Sequence, residues 1–161
     1  MTTYYGVNST LYEAPVIATF PHSRLSGAKL YCSTDWYFSP AGAETAGSLI
    51  YCGKIPKGAV VSHTVIFPID TADYGTPSAA GTAVTGTIGI TDGTTSDADY
   101  LGTFTTLGTA TPQTLYPVPD GTVHALASTP LTYNASVYVT TADATLAITE
   151  GICIKVYYTI A

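Results

Sequence analysis

Charge is what this 161-residue sequence has least of. Asp, Glu, Lys and Arg together make up 10% of it, against about 25% in an average soluble domain. Five of these residues are cationic and eleven acidic, leaving a formal net charge of −6 and a pI near 4.6. A phosphate backbone calls for the opposite sign, so a nucleic-acid binder is not expected. Long apolar runs are missing too: mean hydropathy is +0.27, but Thr, Gly and Ser break up the apolar residues. The longest largely apolar stretch, Gly58 to Ile69, carries Ser62 and His63 and falls well short of the roughly 20 residues of a membrane helix. Cysteine is scarce and odd in number, with Cys32, Cys52 and Cys153 and no CxxC pair, which speaks for buried thiols in a reducing compartment over a disulfide scaffold. After Met1 there is neither a basic nor an apolar region of the kind that opens a secretory signal. The nucleophile elbow, His-Glu-x-x-His, P-loop and Rossmann fingerprints are all absent. The expectation is therefore no enzyme, no cofactor, no membrane and no nucleic acid.

Aromatic residues, by contrast, are plentiful: 13 Tyr, 4 Phe and a single Trp, more anchors than a disordered chain carries. Thr is abundant, and β-branched and aromatic side chains favour pleated, half-buried surfaces. Alternation dominates. In Ala28–Phe38 one face holds Leu30, Cys32, Thr34, Trp36 and Phe38, and the other Tyr31, Ser33, Asp35 and Tyr37. Val84, Gly86, Ile88 and Ile90 alternate with threonines and Gly89, and Ile152, Ile154, Val156, Tyr158 and Ile160 alternate with Cys153, Lys155, Tyr157 and Thr159. Period two is the signature of a strand with one buried face. The same test predicts strands near Ser48–Ile55, Ala59–Ile69, Tyr100–Leu107, Thr122–Ala127, Leu131–Thr141 and Thr145–Thr149, separated by turn signals such as Pro56-Lys57-Gly58 and Asp92-Gly93. One short helix is predicted, with Ser39 as N-cap and Pro40 at its first position, running to about Ala46. The fold class is all-β, an antiparallel β-sandwich of jelly-roll type with at most that one helix. Residues 21–161 form a single domain that buries roughly 70% of its unfolded surface. Residues 1–20, with Tyr4, Tyr5 and Tyr12 among Asn, Ser, Thr and Pro, read either as an extended arm or as a first strand on a sheet edge. On the arm reading these three tyrosines bind a partner.

Other candidate sites are few. His63 shares a predicted face with Val61, Val65 and Phe67, and Ser62 beside it points the other way on a regular strand, so the two do not form a catalytic pair. His22 and His124 lie in separate segments and suggest no zinc site. Asp92, Asp97 and Asp99 form the densest carboxylate group; they could ligate calcium, but the spacing is not that of an EF-hand, and Asp and Gly equally mark ordinary turns. Tyr37, Tyr51, Tyr138 and Tyr157 fall on faces expected to point outward, where they would pack against another subunit or stack on sugar rings.

Several segments resemble a group of small bacteriophage virion proteins. They are Tyr4-Tyr5-Gly6-Val7-Asn8-Ser9-Thr10, Ala46-Gly47-Ser48-Leu49-Ile50, Lys54-Ile55-Pro56-Lys57-Gly58-Ala59, and Ile88-Gly89-Ile90-Thr91-Asp92-Gly93 with Asp97-Ala98-Asp99-Tyr100, closed by the alternating Gly151–Ile160. The resemblance implies a β-rich structural component of the head, of decoration, cement or head-fibre type, without catalytic residues. Its partner would be the major capsid protein, its place the capsid exterior after synthesis in the host cytoplasm. A homotrimer is the favoured assembly, because three weak arms on one rigid body gain avidity. A tail, adaptor or short-fibre component and a carbohydrate-binding β-sandwich module are the alternatives.

Overall fold

Alternation of apolar with polar residues builds ten strands in two sheets, in a computed structural model that describes residues 3–5, 30–38, 45–70, 73–77, 85–105, 107, 111–118, 129–142 and 150–160. In chain order these are β1 (Thr3–Tyr5), β2 (Tyr31–Phe38), β3 (Leu49–Ile55), β4 (Ala59–Asp70), β5 (Asp73–Pro77), β6 (Gly86–Thr91), β7 (Ser96–Phe104), β8 (Gln113–Leu115), β9 (Ala135–Thr141) and β10 (Glu150–Ile160). One sheet runs β1-β3-β9-β6-β7; the other runs β2-β10-β4, with both β5 and β8 on the far side of β4. Without the additions β1 and β5, the orders are β3-β9-β6-β7 and β2-β10-β4-β8. Two antiparallel four-stranded sheets connected in this order are the two Greek keys of a jelly roll. No described residue is helical, and no helix among them is long and apolar enough to cross a membrane.

The core lies between the sheets. Ile50 and Ile55 of β3, Ile88 and Ile90 of β6, and Val137 and Val139 of β9 face Val61, Ile66, Ile152, Ile154 and Val156 from the opposite sheet. Tyr100, Phe104 and Tyr158 fill the volume between them. Turn chemistry sets the crossings. Gly58 adopts φ 85°, a left-handed conformation that costs glycine little, and swings the chain from β3 into β4. Gly58 N–H donates to the Leu131 carbonyl (2.8 Å) and Leu131 N–H to Ala59 (2.8 Å), so the β8–β9 connection is tied to this corner.

A second apolar cluster occupies the outer face of the β2-β10-β4 sheet. Phe67, Ile69 and Cys153 are buried there, with Trp36, Phe38 and Val65 packed against them. Register explains it: Trp36 pairs with Cys153 and Cys153 with Phe67, so the three side chains stand in one row on one face.

Three expectations need correction. Tyr37 does not point outward; it is 4% exposed in the main core, and Trp36 and Phe38 take the outer face instead. Val61 and His63 do not share a face. Tyr157 pairs with His63 but Tyr158 with Val61, so Ser62 is a bulge residue; Val61 turns into the core while His63 faces outward with Val65 and Phe67. Two strand starts also move: β7 begins at Ser96, not Tyr100, and β9 at Ala135, not Leu131. The strands expected at Thr122–Ala127 and Thr145–Thr149 lie outside the described residues. So does the helix from Ser39, except for Thr45 and Ala46, which belong to a turn closed by Ser48 N–H on the Thr45 carbonyl (2.9 Å).

Candidate functional site

Tyr4 and Tyr5 lie in β1, which pairs in parallel with β3: Thr3 opposite Leu49, Tyr4 opposite Ile50, Tyr5 opposite Tyr51. This segment therefore adds a strand to the edge of one sheet, whatever else residues 1–20 do. Tyr12 lies outside the described residues.

The acidic segment is a turn before it is anything else. Asp92 Oδ1 accepts the N–H groups of Thr94 (2.8 Å) and Thr95 (2.7 Å), while Thr91 Oγ1 donates to the Thr95 carbonyl (2.9 Å) and accepts from Gly93 N–H (2.9 Å). The Thr95 N–H, and then that of Thr94, hold the Asp92 carboxyl below its ordinary range, because both bonds favour the charged form. Asp97 is buried, 4% exposed, and its Oδ1 accepts from Asp99 N–H at 3.4 Å; Asp99 is exposed. Among the described residues no three His, Cys, Asp or Glu side chains converge as a metal site would need. The carboxylates also act on nearby tyrosines. Burial, then Asp97, pushes the Tyr100 phenol up; burial, then Asp92 and Asp97, does the same to Tyr133. These groups stay protonated beside the acidic turn.

Of the four tyrosines expected on outer faces, Tyr51 and Tyr138 pair across β3 and β9 with ring centroids 5.8 Å apart. Tyr138 is only 6% exposed, which leaves little ring face for a sugar. Tyr157 stacks on His63 across β10 and β4, centroids 4.5 Å apart and 12° from parallel. The bulge at Ser62 has a consequence that alternation hides: Ser62 Oγ lies 3.1 Å from His63 Nδ1. A hydroxyl on an imidazole is the geometry of nucleophile and base, but among the described residues no carboxylate contacts this ring to orient it. The two buried thiols, Cys52 and Cys153, are held protonated. Burial, then Asp35, raises Cys52 well above its ordinary value, and burial pushes Cys153 up to about 12. Three large apolar side chains are exposed among the described residues: Tyr116 at 68%, Leu30, which the sequence placed on one face of a strand, at 52%, and Val118 at 48%.

The candidate residues that are described thus lie on the strands and in one acidic turn of a jelly roll. No protein-family model matches the chain, and no curated protein matches it in sequence. Two solved structures share its fold nearly from end to end. One is a chain of the capsid of Ralstonia phage GP4, 17% identical, covering 89% of this chain and 92% of that one with a TM-score of 0.57. The other belongs to the acidic stable capsid of Helicobacter pylori bacteriophage KHP30, 18% identical, covering 81% and 87% with a TM-score of 0.50.

Proposed function

We propose that this protein is a structural component of a bacteriophage virion, a capsid decoration or cement protein that binds the major capsid lattice and stabilises the head. The observation that carries this reading is the fold shared with a chain of a phage capsid over about nine-tenths of both molecules. Composition supports it: few charges, many tyrosines and two sheets with ordered outer faces suit a body meant to be covered. The work is passive. A rigid sandwich bridging coat subunits resists their separation, with β1 and the tyrosines Tyr4, Tyr5 and Tyr12 as its contact elements. A homotrimer on the capsid exterior adds avidity, since each arm after the first binds at the effective concentration set by the body. Assembly precedes release from the host, so the protein is made in the host cytoplasm.

The test is to count copies in purified particles and to delete residues 2–20. Copies in the hundreds, lost on deletion while the β core stays folded, are the expected result. About a dozen copies or fewer would move the protein to the tail, adaptor or short-fibre class. Full occupancy by the truncated chain would overturn the assignment of the contact to Tyr4, Tyr5 and Tyr12.

A further inference from the structure

The edge of β3 that receives β1 differs from every other pairing described in the molecule. All the others are antiparallel; β1 on β3 is parallel. Parallel neighbours cannot be joined by a tight turn and need a long connection. Here residues 6–29 separate β1 from the β2 region, and β2 belongs to the opposite sheet. The ladder is short, three paired residues like that of β8 on β4, against eight for β2 on β10. It uses only Leu49–Tyr51 and leaves Cys52–Ile55 of β3 without a β1 partner. A stretch the length of residues 6–29 reaches up to about 80 Å when extended, against a diameter of about 40 Å for a domain of this size. A neighbouring copy's β3 edge therefore lies within the span of this connection, as its own does.

We propose that β1 is an exchanged strand: in the assembled protein Thr3–Tyr5 of one copy pair with Leu49–Tyr51 of a second copy, which stitches neighbours together and closes an open sheet edge. The inference rests on the reading of this protein as a multi-copy component. Exchange conserves every backbone bond, because the strand makes the same ladder in either place. What decides between the two is concentration. A tethered segment competes with its neighbour's at a roughly millimolar effective concentration, and copies fixed side by side on a lattice meet that condition. Closing the edge also removes the row of unpaired backbone groups that would otherwise template aggregation.

Disulfide trapping tests it on the full chain. Paired Cα atoms on neighbouring strands are about 5 Å apart, inside the range a disulfide spans. In a Cys32→Ser background, which removes the exposed thiol, Thr3→Cys and Leu49→Cys are made in separate chains, mixed at about millimolar concentration and oxidised. The control mixes Thr3→Cys with Thr103→Cys, an exposed position on β7 at the opposite edge of the sheet. The expected result is about tenfold more covalent dimer than in the control as total protein approaches the effective concentration of the tether. The pair Tyr5→Cys with Tyr51→Cys repeats the test two residues along if Leu49→Cys impairs folding. A dimer yield no greater than the control overturns the proposal, whether or not the two cysteines placed in one chain close on each other. Particle binding is read separately, so a failed exchange leaves the virion assignment standing, and exchange between copies that never bind particles would leave only the exchange.

Discussion

Tyr138 lays its ring across Gly89, the residue opposite it on β6. A Cβ on Gly89 would stand 2.7 Å from Tyr138 Cζ and 2.8 Å from the Ala98 carbonyl carbon, and it would run into the Asp97 carbonyl oxygen as well. Gly89 is thus required by close approach from two sides, a ring and a backbone. Gly89→Ala is expected to cost about 1–3 kcal/mol, the range for forced overpacking, as read from urea denaturation midpoints. Removing the ring does not cure a clash with the backbone, so Tyr138→Ala should fail to rescue Gly89→Ala. A full rescue would assign the constraint to the ring alone.

The Asp92 turn makes a prediction about acid. Its carboxyl titrates below the ordinary value of 3.8 in the folded protein. Above that ordinary value both states are ionised and the stabilisation is fully present; it is lost as pH falls through the lower, folded-state titration. Asp92→Asn keeps an acceptor for Thr94 and Thr95 but does not titrate. Melting temperatures recorded between about pH 2 and pH 6 should therefore show a shallower acid limb for Asp92→Asn than for the parent. Parallel limbs in the two proteins would mean that the turn carboxylate contributes nothing to acid sensitivity.

Thiol reactivity separates the three cysteines. Cys32 is exposed, while Cys52 and Cys153 are buried, and burial has pushed both of those thiols upward, Cys153 to about 12. Only the thiolate attacks a disulfide reagent. Native protein near neutral pH should release one equivalent from an aromatic disulfide reagent, and unfolded protein three. The Cys32→Ser variant should release none until it unfolds. Rapid native release from that variant would show that the cover over Cys52 or Cys153 opens readily.

Much of this architecture could be read from period-two patterns, and the exceptions share a physical cause. Gly151–Ile160 was legible because apolar residues mark one face over many positions, whereas Ala59–Ile69 was legible as a strand but not by its faces, since it carries buried apolar residues on both. Within Tyr31–Phe38 both faces carry aromatic residues, Tyr31 and Tyr37 on one and Trp36 and Phe38 on the other. Alternation there identifies the strand but not its inner side, since the sheet is covered by a core on each face. The bulge at Ser62 is set by the pairing of β4 with β10, a partner property that no local pattern records. The strands β5 and β8, with five and three residues, are strands only because β4 offers them an edge. Of the candidate site, the Asp92 turn was legible from Asp-Gly chemistry, whereas the His63–Tyr157 stack needs two strands far apart in sequence.

The outer cluster leads to the sharpest contrast in stability. Ile66 and Phe67 are neighbours in β4 that face opposite sides of the same sheet, and both are buried, at 0% and 3% exposure. Ile66 packs in the sandwich core and Phe67 among Trp36, Cys153 and Ile69, with Lys155 Nζ 5.4 Å from its ring centroid. A sandwich with a solvated outer face would lose little on truncating an outward side chain. With a second packed layer, Phe67→Ala should cost about 3–5 kcal/mol, as much as or more than the 2–5 kcal/mol expected of Ile66→Ala. Lys155→Ala should cost less, about 0.5–1 kcal/mol for the cation over the ring. Because Trp36 is the sole tryptophan and sits in this layer, its emission should shift in Phe67→Ala while the variant is still folded. An unfolding free energy for Phe67→Ala within about 1 kcal/mol of the parent, with unshifted Trp36 emission, would show that the outer layer does not act as a core.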